Sequence, residues 1–192
     1  MYRHSHNHGG TVKVRPAAKV RPAAIVQARL VIRSAVTADV AAIHGLIAEH
    51  AVEGRLLARS LDEVAAHIDR FVVAAQGNRV IGCADLAPLS GSVAEVRSLV
   101  VDSTARANGI GRTLLDQLTA RAQGGGVDTL CAFTHSPAYF VHAGFSIVPH
   151  TWLPEKIDRD CHSCTLFRRC GQYAVALPLG AAVRLRVGAV NG

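Results

Sequence analysis

Arg106-Ala107-Asn108-Gly109-Ile110-Gly111 is the stretch whose residue types and spacing point most directly to chemistry. It follows the apolar run SLVVD and opens IGRTLLDQLTARAQ, whose apolar residues recur at helical spacing. Glycines let a backbone approach a bulky anion with no Cβ in the way. The free N–H groups at a helix start face such an anion, and the helix dipole adds favourable potential. Strand, glycine-rich turn and helix in that order therefore predict a bound diphosphate. A dinucleotide fold shares the order but wants G-x-G-x-x-G in a repeated βαβ frame with an acid about twenty residues on, and that pattern is missing. The plain alternative is a tight turn between strand and helix. A second cluster, Cys161, Cys164 and Cys170, has the spacing C-x2-C-x5-C with His162 inside it. A closed zinc site needs four ligands, so His150 or His162 would have to complete it. The alternative is a loop of free thiols under the sheet. Cys83 and Cys131 lie in strand-like runs and read as core.

The elements that must position these residues follow from pattern and punctuation. LVIRSAV reads as a strand, and Thr37 as the N-cap of a helix through Ala48 with Val40, Ile43, Ile47 and Ala51 on one face. Ser60 and Glu63 form the capping-box pattern S-x-x-E, opening a short helix to about Arg70. FVVAAQ, Gly77-Asn78 and RVIGCADL read as a hairpin. VAEVRSLVV is a strand, and the helix after the glycine turn stops at Gly124-Gly125-Gly126. VDTLCAF, SPAYFVHA, FSIVP and QYAVALPL then read as strand, helix, strand, strand. The order β-α-α-β-β-β-α-β-α-β-β predicts an α+β fold around one mixed sheet.

R-x-x-G-x-G after a strand ending L-x-V resembles the acyl-CoA motif of GNAT acetyltransferases, and A-Y-F-V-H-A-G-F resembles their second cofactor segment. The resemblance implies a mostly antiparallel central sheet flanked by helices, with a splay between the fourth and fifth strands. It implies acetyl-CoA as cosubstrate. The backbone of Leu99, Val100 and Val101 would hold the acetyl-pantetheine arm in the splay. Backbone N–H groups of Arg106, Ala107, Asn108, Gly109, Ile110, Gly111 and Arg112 would hold the pyrophosphate.

Several further segments resemble short N-acetylglutamate synthases: GRLLARS at 54–60, GCADL at 82–86, AEVRSLVV at 94–101, LPEK at 153–156 and DCHSC at 160–164. Those enzymes acetylate the α-amine of L-glutamate, the first step of arginine synthesis. The usual acidic pair after the last cysteine is replaced here by Gly171-Gln172. Glutamate brings two carboxylates, so its site needs fixed cations. Arg59, Arg97 and Lys156 are the candidates, arginine being suited to bidentate pairing. An ammonium cannot attack a thioester, so a base must take its proton, and Glu95 is the candidate. For protonating the leaving thiolate, many GNAT enzymes place a tyrosine four residues before the glycine of the G-F pair. That position is Phe140 here, and the adjacent Tyr139 would point about 100° away on a helix. Thr134 corresponds to a hydroxyl residue assigned as the acid in acetylglutamate synthases. Another amine acceptor, or a non-catalytic acyl-CoA-binding module, stays open. A polyamine would want an acidic groove, whereas these segments are rich in arginine.

The rest of the chain sets the context. Its 192 residues, 49% of them hydrophobic, suit one domain with a tail. The formal charge of +7 is unevenly spread: Arg3, Lys13, Arg15, Lys19, Arg21, Arg29 and Arg33 precede the first acid, Asp39. Residues 1–27 carry KVRPAA twice and an alternating His4, His6, His8 run, and read as a disordered basic tail. Residues 28–180 read as the acetyltransferase domain and 181–192 as an extension. No run is apolar for the roughly 18 residues a membrane span needs, and the start lacks the apolar core of a secretory signal. The expectation is a cytoplasmic enzyme with reduced thiols, no membrane or nucleic-acid partner, and a small-molecule acceptor, L-glutamate. A homodimer is compatible with this reading.

Overall fold

The structure is a computed structural model that describes residues 29–180 apart from Glu53 and Arg55. The basic segment 1–27 and the extension 181–192 lie outside the described residues. The strands are β1 (Leu30–Ser34), β2 (Phe71–Gln76), β3 (Arg79–Pro88), β4 (Val93–Val101), β5 (Thr129–Thr134), β6 (Ser146–Val148) and β7 (Tyr173–Pro178). The helices are α1 (Val40–Val52), α2 (Leu61–Ala66), α3 (Ile110–Gly124), α4 (Pro137–His142) and α5 (Pro154–Lys156). All strands join one seven-stranded sheet in the order β1-β2-β3-β4-β5-β7-β6. Among the described strands only the β4–β5 pair runs parallel. This is the α+β fold around one mixed sheet expected from the element order, mostly antiparallel as the resemblance implies.

Each face of the sheet carries a helical layer. On one face α3 buries Ile110, Leu114, Leu115, Leu118 and Ala122 against Val72, Ala74, Ala94 and Val96. This is the 3.6-residue spacing of its apolar positions turned into packing. On the other face Ile43, Leu46 and Ile47 of α1 and Val64 of α2 pack on Phe71, Val73, Cys83 and Val100.

The strand that matters most is β4. Its pairing with β5 covers Val93↔Thr129, Ala94↔Leu130 and Glu95↔Cys131 and then ends, so the two strands part beyond Glu95. A parallel pair that opens in this way exposes unpaired backbone groups along one edge of each strand. On the other side, β4 pairs Arg97 with Asp85 and Val100 with Cys83, so Ser98 and Leu99 together face Ala84. That is a β-bulge, and Ser98 takes a left-handed φ of +49° within it. The extra residue reverses the alternation. Val96 packs in the α3 layer while Val100, four residues on, packs in the α1 layer. Glu95 and Arg97 consequently face the α1–α2 side.

Two local expectations are corrected. Thr37 does not cap α1, which starts at Val40 after a 3-10 turn over Thr37–Asp39 and runs to Val52. The Asp39 carboxylate instead accepts from the Val36 N–H at 2.8 Å and from Arg33 at 2.6 and 2.9 Å, so a charged group tightens the entry turn. The Ser60–Glu63 capping box is present, with Glu63 N–H donating to Ser60 Oγ at 3.1 Å and Ser60 N–H to Glu63 Oε2 at 2.7 Å. Its helix ends at Ala66, however, and a 3-10 turn over Ile68–Arg70 leads into β2. Further structure lies between β6 and β7, where the sequence pattern assigns no element. The chain there makes a 3-10 turn at His150–Trp152, α5, a π-helical turn at Ile157–Cys161 and a 3-10 turn at Phe167–Arg169.

Candidate active site

The parting of β4 from β5 opens a cleft of about 310 Å³. Leu99, Val100 and Val101 line it from β4, Phe133 and Thr134 from the end of β5, and Arg106 and Gly111 from the glycine turn. Glu95, Arg97, Arg59 and Lys156 line it as well. Residues nominated from five separate stretches of sequence thus meet at one opening.

The turn has the geometry its residues predict. Ala107 and Gly109 take left-handed φ values of +64° and +73°. Glycine carries that conformation without strain. A Cβ on Gly111 would come within 3.1 Å of the Tyr139 hydroxyl, so this glycine is needed for close approach. α3 begins at Ile110, and the N–H groups of its first turn have no partner within the helix. Ile110 itself is buried in the core, while Ala107, Asn108, Gly109 and Arg112 are exposed. The Arg112 side chain turns aside, donating to Asp116 at 2.8 Å. Arg106 turns inward: its Nε donates to the Val101 carbonyl at 3.2 Å and its guanidinium meets His50 Nε2. His50 is buried, with Nδ1 2.8 Å from the Leu46 carbonyl. Nδ1 must then carry the hydrogen, which leaves Nε2 to accept from Arg106. Sequence reasoning did not single out His50, although it follows Ile43, Leu46 and Ile47 along the buried face of α1.

Glu95, Arg97, Lys156 and Asp160 form a closed ring of charge. Lys156 Nζ donates to Glu95 at 2.8 and 3.0 Å and to Asp160 at 2.8 Å. Arg97 donates to Glu95 at 2.6 Å and also to Asp160. Glu95 is only 3% exposed, so it is no solvated edge carboxylate. Burial pushes the Asp160 carboxyl up, but the Lys156 hydrogen bond and the charges of Arg97 and Lys156 outweigh it and hold Asp160 below its ordinary value. Asp160 and Asp85, which stands beside Arg97 in the β3–β4 register, were missed from sequence. Asp160 reaches the site only because the π-helical turn folds back over β4. Arg59 is less engaged, with Glu63 at 3.8 Å.

Thr134 Oγ1 accepts from the Ser136 N–H at 3.0 Å, so its own O–H is free to donate. Tyr139 and Phe140 both line the cleft, with the Tyr139 hydroxyl over Gly111 and the phenol held above its ordinary value by burial. Cys161 is partly buried, Cys164 and Cys170 are exposed, and none of the three lines the cleft. Among the described residues no group of three or more His, Cys, Asp or Glu side chains is arranged to hold a metal ion. His150, nominated as a fourth ligand, faces the Gln172 carbonyl at 2.9 Å, and His162 lies 3.6 Å from Asp158. Cys83 and Cys131 are buried in the core as expected, and burial pushes the Cys131 thiol up to about 12. Among the described residues no helix is long and apolar enough to cross a membrane.

Residues 47–145 match the family model described as "Acetyltransferase (GNAT) family". The chain is 34% identical over 147 residues to an uncharacterised N-acetyltransferase of Chlorobaculum tepidum, covering 77% of this chain and 95% of the relative. It is 30% identical over 133 residues to an amino-acid acetyltransferase of Neisseria meningitidis, covering 68% of this chain but only 30% of that longer protein. A solved N-acetylglutamate synthase of Neisseria gonorrhoeae, complexed with coenzyme A and N-acetyl-glutamate, superposes with a TM-score of 0.72 at 27% identity. That match covers 81% of this chain and 36% of the other. Sequence, fold and the cleft between β4 and β5 agree, and the chain belongs to the GNAT family of acetyltransferases.

Proposed function

We propose that the chain transfers the acetyl group of acetyl-CoA to the α-amine of L-glutamate, giving N-acetyl-L-glutamate, the first step of arginine biosynthesis. The observation that carries this reading is the concentration of Arg59, Arg97 and Lys156 around one cleft. Such a cleft suits an acceptor bearing carboxylates and disfavours a polyamine. The likeness to the Neisseria enzymes supports it, since those proteins are an amino-acid acetyltransferase and an N-acetylglutamate synthase.

The β4 backbone at Leu99, Val100 and Val101, no longer paired to β5, binds the pantetheine arm, and the turn from Arg106 to Arg112 binds the diphosphate. Glu95 takes the proton of the acceptor's ammonium through a water, since both its oxygens already accept from Arg97 or Lys156. The freed amine attacks the thioester carbonyl; as the C–S bond breaks, the Thr134 O–H passes a proton to the leaving sulfur and takes back the proton that the new amide nitrogen sheds.

An acceptor screen reading free CoA release tests the assignment. L-glutamate should be acetylated at least about a hundredfold better than L-lysine or spermidine, because a second cation brought among Arg59, Arg97 and Lys156 meets like charge, which costs several kcal/mol. Preference for an amine without carboxylates would overturn the glutamate assignment and leave family membership standing.

A further inference from the structure

A second cavity, of about 220 Å³, adjoins the cleft, and Arg59 and Arg97 line both. α2 contributes Glu63 to it, His67 follows directly after α2, the turn before β2 contributes Arg70, β3 contributes Asp85, and the π-helical turn contributes Arg159 and Asp160. Most of these groups have partners. Arg97 is tied to Glu95 and Asp160, and Arg159 donates to the Pro88 carbonyl at 2.5 Å. Asp85 stands apart: it is 7% exposed, and its Oδ1 has no hydrogen-bond partner. A buried oxygen without a donor costs stability, and such an atom facing a charged cavity marks a place for a ligand group. Among the described residues the Arg70 side chain makes no hydrogen bond either, so a cation and an unpartnered carboxyl face the same space.

We propose that this cavity receives the distal carboxylate of the acceptor, with Asp85 as the specificity-determining residue there: its unpartnered oxygen holds a proton against that carboxylate, so acceptor binding takes up one proton. The inference rests on the glutamate reading above. Arg59 and Arg70 balance the incoming negative charge. Two carboxyl groups brought side by side cannot both remain ionised and share one proton instead. Burial already pushes the Asp85 carboxyl up to about 6, against the opposing pull of Arg97, Arg70, Arg59 and His67. The proton comes from solvent, and none is transferred to the product. A side chain ending in a carboxamide brings its own donor to Asp85 and takes up nothing.

The test compares kcat/KM for L-glutamate and L-glutamine, in the full chain, between about pH 5.5 and 8.5. Both acceptors carry the same α-amine and use the same catalytic groups, so the ratio isolates the distal end. The glutamate-to-glutamine ratio should fall as pH rises above about 6, approaching tenfold per pH unit. In Asp85→Asn, whose amide donates without titrating, the ratio should be flat and higher than wild type at the alkaline end. Calorimetry of L-glutamate binding to the CoA-loaded protein, in two buffers of different ionisation enthalpy, should show up to one proton taken up by wild type and none by the variant. CoA affinity of Asp85→Asn, unchanged, certifies its fold. A flat wild-type ratio with glutamate still preferred would overturn the role of Asp85 and leave the glutamate reading intact. The same slope in Asp85→Asn would likewise overturn it. No turnover of glutamate at any pH would remove the acceptor reading and this inference together.

Discussion

Gly109 and Gly111 occupy one turn for different reasons. Gly109 supplies a left-handed φ of +73°, with open space where a side chain would go. Gly111 supplies clearance beneath Tyr139. Gly109→Asp and Gly111→Asp should each abolish measurable acetyl-CoA binding in calorimetry, since each sets a negative charge where the diphosphate belongs. Unchanged affinity in either variant would remove the turn from the cofactor site. Asp85 makes a prediction about stability that is separate from substrate. Its folded-state value of about 6 lies above the ordinary 3.8, chiefly through burial. Between about pH 4 and pH 6 the folded chain keeps a proton that the unfolded chain releases, so this group lowers stability progressively as pH rises through that window. Asp85→Asn should therefore stabilise the protein above pH 6, by up to about 3 kcal/mol, with most of the gain lost near pH 4. Urea unfolding at the two pH values measures it, and an equal effect at both would show that the charge is not the cause.

At the level of elements, β4 decides the site. Its parallel pairing to β5 stops at Glu95↔Cys131, and its bulge at Ser98 and Leu99 turns the strand's alternation over by one residue. Without the bulge, the residues beyond it would present the opposite faces to the two helical layers. Ser98→Val puts a β-branched residue at φ +49° and should cost roughly 1–3 kcal/mol. Acetyl-CoA affinity should fall with it, because the backbone of Leu99 to Val101 is displaced. A variant of normal stability and normal cofactor affinity would show that the left-handed conformation is dispensable.

Across the whole molecule, the cleft lies where β1–β4 and β5–β7 diverge, and the turns between β6 and β7 close over it. Lys156 and Asp160 from those turns hold Glu95 and Arg97 from the central strand. A half-buried ring of two cations and two anions fixes geometry more than it adds stability. Residues 1–25 carry no acid and are interrupted by Pro16 and Pro22. Deleting residues 1–25 should thus leave melting temperature and turnover nearly unchanged. A large loss of either would show that the basic segment acts on the domain.

The sequence by itself determined the element order, the glycine turn and the identities of the cleft arginines. These are local properties: apolar periodicity, a capping box, and glycine where φ must be positive all act over a few residues. The family resemblance carried the splay and the cofactor arm. Tertiary structure alone decided the bulge at Ser98, which no residue type announces, and the partners of each charge. Glu95 has the same side chain whether exposed or buried. Only the fold of residues 149–170 onto β4 surrounds it with Arg97 and Lys156. Asp85 reads in the sequence as one acid in a strand. It becomes a buried, unpartnered carboxyl because α2, β4 and the π-helical turn enclose it, and desolvation depends on everything packed around a group rather than on its neighbours in the chain.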